Sequence, residues 1–238
     1  MVLGCGNIAI IMRYLEQKLD QIVEIHRWTD KVEAEPYPEA SRPKNLVYSP
    51  SSVPFDFLLP NYAYLFKWPL KRAPQEYFAE IIAYKIGAQM GLDVPHTFLA
   101  VNQKSPEKTV TGIISQWFYD FHNREGLYAY ISGGDYLTRA IKDYDRKVGT
   151  QHDITSILTF CSALEDISER NGYELIKSPY KHIVQMFTLD TLIGNSDRHQ
   201  DNWGAVWNYE NRTVGFAPAF DNGSSLGFEI RENKLHHT

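Results

Sequence analysis

The residues Ile183, Val184, Phe187, Leu189, Leu192 and Ile193 lie on a largely apolar helix that stops at Gly194 and delivers a polar loop, Asn195-Ser196-Asp197-Arg198-His199-Gln200-Asp201-Asn202. Nineteen residues beyond Asn202, after a strand-turn-strand stretch, comes a second polar turn, Phe220-Asp221-Asn222-Gly223. The chain must therefore bury an apolar helix while two oxygen-rich loops emerge beside it.

The order of residues in those loops carries a chemical expectation. An aspartate, an asparagine five positions on and a second aspartate on a later loop are what phosphoryl transfer needs. Mg²⁺ takes hard oxygen ligands and keeps several waters, so the protein need supply only one or two donors. Asp221 would give a carboxylate and Asn202 an amide oxygen, both holding the metal against nucleotide phosphates. Asp197 would orient an acceptor hydroxyl and take its proton. Asp and Asn are also ordinary turn residues, and alone either would be read so; the spacing of all three favours catalysis.

Bulk properties narrow the class. The 238 residues suit one large domain or two lobes with a cleft between them. A net charge of -5 argues against a general nucleic-acid binder. Cys5 and Cys161 suggest neither a disulfide framework nor a zinc site, and a reducing cytosol is the simplest compartment. The apolar stretch Ile8 to Met12 is too short for a membrane span and reads as the start of an amphipathic helix over residues 8–27.

Residues 29–43 read as a loop, with Pro36, Pro38 and Pro43. Asn45 to Tyr48 and the aromatic-rich Tyr62 to Trp68 read as strands, and Gln75 to Met90 as a helix with Tyr77, Ile81, Ile82 and Ile86 on its apolar side and Gly91 closing it. Two further strands are expected, Thr97 to Asn102 and Val110 to Phe118. From Ile154 the pattern is mainly helical. The expected architecture is α+β and two-lobed, with a small sheet-rich lobe over residues 1–118 and a mainly helical lobe over 119–238.

At its catalytic-type loops the sequence resembles the HipA-like serine/threonine kinases, and more distantly the phosphoinositide-kinase-like group with its Asp-Arg-His loop. The resemblance runs back into the front lobe and covers roughly residues 39–228. Ser41-Arg42-Pro43-Lys44 is similar to the family's phosphate loop, though poor in glycine. Lys67 stands where the family keeps its nucleotide-phosphate lysine, and Glu80 where a helix glutamate supports it, with Glu76 as rival. Gly91-Leu92-Asp93-Val94-Pro95 matches the helix-exit turn. Gln116, Trp117 and Phe118 fall at the interlobe hinge that meets adenine.

The resemblance implies a protein-kinase-like fold that uses ATP and Mg²⁺ and phosphorylates a serine or threonine of a protein substrate. It also implies a toxin–antitoxin pairing, another regulatory partner, or a role as a secreted effector. His199 is read as bridging its loop to the metal-binding aspartate, and Arg198 as either a surface cation or a phosphate contact. Asp201 is read as solvated. Ser41, Ser49, Ser51 and Ser52 raise the prospect of inhibitory autophosphorylation beside the phosphate loop. A lipid or small-molecule kinase and a catalytically inactive nucleotide-binding pseudokinase are the alternative functions.

Overall fold

The computed structural model describes residues 15–18, 20–30, 44–69, 73–105, 107–119, 127–149 and 151–227. The first half forms β1 (Val23–Glu24), β2 (Thr29–Asp30), β3 (Lys44–Tyr48), β4 (Ala63–Lys67), α1 (Glu76–Gln89), β5 (Thr97–Ser105) and β6 (Lys108–Gln116). The second half forms β7 (Tyr128–Ser132), α2 (Gly133–Ala140), α3 (Ile154–Arg170), β8 (Glu174–Leu175), α4 (Pro179–Ile193), β9 (Gly204–Asn208) and β10 (Thr213–Phe216). The α+β, two-lobed expectation holds.

The first sheet has the order β1-β5-β6-β4-β3-β2 and is antiparallel except where β1 joins β5. Its register sets Lys44 opposite Lys67 and Leu65 opposite Ser115. Side chains alternate across a strand, so Leu65 and Lys67 share one face while Tyr64 and Phe66 point to the other. Tyr64 and Phe66 are fully buried in a core that includes Ala83 and Tyr84 of α1.

Helix α1 buries only in part the face its large apolar residues suggest: Ile86 packs against the core, and Tyr77 and Ile81 are half-buried. Phe78 and Ile82 are exposed, and the inward stripe is Glu76, Ala79, Glu80, Ala83, Tyr84 and Gly87. Small residues let the helix approach closely: a Cβ on Gly87 would lie 2.4 Å from Val94 Cγ2. That rotation carries Glu80 inward. The helix ends as expected at Gly91, whose φ of 67° is left-handed, and Leu92 N donates to Gly87 O.

The helix expected over residues 8–27 is not found in its described part; residues 8–14 and 19 lie outside the described residues. The chain from Leu15 is irregular and ends in β1. The cause is the open edge of β5. Gln17 satisfies Leu99 with both ends of its amide, donating to the carbonyl at 2.9 Å and accepting from the N–H at 2.6 Å, and Val23–Glu24 pairs further along. Edge pairing overrides a local helical period. Thr29–Asp30, expected in a loop, pairs with β3 in the same way.

The second sheet, β7-β9-β10-β8, was foreseen only as the pair β9 and β10. Below it lie α3 and α4. Helix α4 begins with Pro179 and closes on Gly194 at φ 63°, the stop expected from the sequence. Among the described residues no helix is long and apolar enough to cross a membrane.

Candidate active site

A cavity with about 630 Å³ of empty space, open mouth included, opens where β4 and β6 meet the loops after α4 and β10. Lys44, Leu65, Lys67 and Ser115 line it from the first sheet. Gln116, Trp117 and Phe118 follow at the end of β6, and His199, Asn202, Phe220 and Asp221 line it from the second half. Asn202 and Asp221, separated in sequence, thus share one cavity.

Lys67 is the electrostatic centre. Its ammonium lies 2.7 Å from Glu80 Oε1 and 3.1 Å from Asp221 Oδ1. Burial alone would push its pKa down; the charges of Asp221 and Glu80 outweigh that and hold it above the ordinary lysine value. Lys67 therefore stays cationic. Glu80, not Glu76, is the partner, and its second oxygen accepts from the Asn222 backbone N–H at 3.2 Å. Glu80 thereby ties β4 and α1 to the turn that carries Asp221, which sits at φ 58°. Asp tolerates this left-handed conformation better than most residues.

The loop after α4 is held by its own polar atoms. Asp197 N donates to Asn195 Oδ1 at 3.1 Å, and Asn202 Nδ2 donates to the Asp197 carbonyl at 2.9 Å. Using its amide nitrogen this way turns the Asn202 side chain so that its oxygen is the end left for a cation. Asp197 is exposed and does not itself line the cavity, although Asn202, which binds its carbonyl, does.

Arg198 fills neither role expected of it. Its side chain is only 6% exposed and paired with Asp190 through two bonds of 2.9 and 2.7 Å. It also donates to the carbonyls of Asn202 at 3.1 Å and Phe220 at 2.5 Å, and to Asn222 Oδ1 at 2.6 Å. One guanidinium thus joins α4 to both oxygen-bearing loops. Arg198 makes the link that was expected of His199, whose Nδ1 instead accepts from the Asp201 N–H at 3.2 Å while the residue lines the cavity. Asp201, expected to be solvated, pairs with Arg146 at 2.6 Å. The spacing of Asp190, Arg198 and Asn222 holds no motif by itself; a charged residue on the largely apolar α4 was the available signal.

The hinge segment supplies aromatic walls. Phe118 stacks on Phe220 at 5.4 Å and meets Tyr130 edge-on at 5.4 Å. Trp117 N donates to Ala63 O, and Trp117 O accepts from the Tyr62 hydroxyl, which fixes the segment against the first sheet. Gln116 Oε1 lies 2.8 Å from His96 Nδ1, and burial lowers the His96 pKa, so the neutral ring is the donor.

Ser41 lies outside the described residues. Ser49 is buried, with its hydroxyl donating to Leu59 O at 2.6 Å. It stands at the opposite end of β3 from Lys44, and Ser51 and Ser52 lie further on. At about 3.3 Å per residue they stand roughly 16 Å or more from Lys44. Ser49 is thereby lost to the autophosphorylation idea, while Ser51 and Ser52 are exposed.

Two layers built on an antiparallel sheet and a helical base, with a Lys–Glu pair over two oxygen-bearing loops, define a protein-kinase-like fold. The solved structure of the Helicobacter pylori proinflammatory kinase CtkA superposes with a TM-score of 0.59 and 20% identity, over 90% of this chain and 64% of that one. A 41-residue segment, 17% of this chain and 13% of its relative, is 49% identical to the serine/threonine-protein kinase CtkA of H. pylori strain J99. The chain thus spans less than two thirds of the solved relative. No family model matches it.

Proposed function

We propose that the protein is a phosphotransferase that uses ATP with Mg²⁺ and delivers the terminal phosphate to a serine or threonine of a protein. The observation that carries this reading is the convergence of Lys67, Asn202 and Asp221 on one cavity, with Glu80 behind Lys67. The fold likeness and the short stretch of high identity to a serine/threonine kinase support it.

The donor set suits a hard divalent cation: one carboxylate from Asp221 and one amide oxygen from Asn202. Bound there, Mg²⁺ would neutralise charge on the phosphates and fix their geometry. Lys67 would bind phosphate oxygens, with Glu80 keeping it in place, and Lys44 would add a second positive charge at the start of β3. Gln116 to Phe118 would meet the adenine, with Phe118, Phe220 and Tyr130 as its apolar surroundings. Asp197 would accept the proton of the acceptor hydroxyl as oxygen attacks phosphorus. We set the division between the lobes at residues 118 and 119. A protein acceptor, and with it a regulatory or antitoxin partner, follows only from the likeness to the kinase.

The test is transfer of labelled phosphate from ATP to protein, peptide, lipid and small-molecule acceptors, comparing wild type with Asp221→Ala. Transfer to protein that disappears in the variant supports the reading. Mg-ATP binding without turnover in either protein overturns it in favour of a nucleotide-binding module.

A further inference from the structure

The structure assigns Ser224 as the positioning residue that aims the Asp197 carboxylate, and so makes the proton acceptor depend on the folding of the metal-side turn. This inference rests on the phosphotransferase reading above.

The backbone of Asp197 is fixed within its own loop, through Asn195 Oδ1 on one side and the Asn202 side chain on the other. Both contacts are made to backbone atoms of Asp197, whose carboxylate belongs to an exposed residue. Ser224 Oγ donates to Asp197 Oδ2 at 3.1 Å. Ser224 is itself 5% exposed, so the donor is anchored in the protein. It lies three residues after Asp221, on a turn secured from three directions. Asn222 is held by Arg198 and Glu80, Ser225 Oγ donates to Asn222 O at 2.7 Å, and Leu226 N donates to Ile193 O at 2.8 Å. The turn that presents Asp221 to the cavity therefore also presents a hydroxyl to Asp197.

The consequence is a coupling between two functions. Asp221 and Ser224 belong to one turn, so the carboxylate at Asp197 is aimed when the metal-side turn is in place. Ser224 holds one carboxylate oxygen of Asp197 in a set direction. A general base must stand within hydrogen-bond reach of its proton in a defined orientation, and loss of orientation costs rate more than binding.

The test compares Ser224→Ala and Ser224→Thr with wild type, measuring Mg-ATP affinity by thermal shift and phosphate transfer under saturating ATP. Ser224→Ala should lower kcat about tenfold with the KM for ATP and the Mg-ATP shift unchanged, and Ser224→Thr, which keeps the donor, should restore most of kcat. Equal kcat in wild type and Ser224→Ala overturns the assignment while leaving the phosphotransferase reading intact. Loss of Mg-ATP binding in Ser224→Ala, or failure of Ser224→Thr to recover, also overturns it, because the hydroxyl would then serve only the shape of the turn. Absence of transfer by the wild type defeats the underlying function instead.

Discussion

Arg198 grips Asp190 with two bonds of 2.9 and 2.7 Å while both side chains are almost fully buried. The same guanidinium reaches the carbonyls of Asn202 and Phe220, so the pair fixes the distance between the two loops. Lysine would keep the charge and lose the fork. Arg198→Lys should destabilise the protein by roughly 2–4 kcal/mol and remove most transfer activity. Urea unfolding followed by intrinsic fluorescence checks the first, and a phosphate-transfer assay the second.

Lys67 separates the carboxylates of Glu80 and Asp221. Lys67→Met removes that cation and brings two acidic groups together without compensation. Transfer should fall by about 10²-fold or more, since a positive charge aimed at the phosphates is lost. The thermal shift on adding Mg-ATP should shrink in parallel. An unchanged shift and rate would show that Lys67 serves only the packing of β4.

Gly133 sits where a Cβ would come within 2.3 Å of the Trp203 indole, and its N–H donates to the Trp203 carbonyl at 2.9 Å. Trp203 follows Asn202 directly. Gly133→Ala should cost about 1–3 kcal/mol through overpacking. The displaced indole should also be visible as a change in tryptophan fluorescence before unfolding begins.

His182 on α4 stacks on Phe216 and is 4% exposed. Burial first, then the charge of Lys177, lowers its pKa from 6.5 to about 4, with the Ala217 backbone contact opposing in part. The folded state therefore binds fewer protons than the unfolded state between these values. Its contribution is complete above pH 6.5 and is lost as pH falls toward 4. The loss should amount to roughly 3 kcal/mol across that window. Urea midpoints measured from pH 7 to 4 should fall in wild type and fall less in His182→Gln.

Much of this molecule was legible in its residues. The strands β3 to β6, the helices α1, α3 and α4, and the glycines that end α1 and α4 follow from period and turn chemistry. The spacing of Asp197, Asn202 and Asp221 singled out the loops that meet the cavity. Where sequence reasoning failed, the competing force was non-local. Residues 15–18 and 20–24 abandon a helical period because the edge of β5 needs partners, and α1 turns Ile82 outward because its small residues pack more closely on the sheet. The four-stranded second sheet was legible only in part because β8 is two residues long and both β7 and β8 find their partners far along the chain.

Which side chains can donate oxygen or charge, and the order in which they come, is written in the residues alone. Their pairing came from the packing of distant elements: Glu80 over Glu76 for Lys67, Arg198 as the tie between loops, and Ser224 against Asp197. The reason is physical. Donor chemistry is a property of each residue, whereas a buried polar group takes whichever partner the packing of distant elements brings within hydrogen-bond reach.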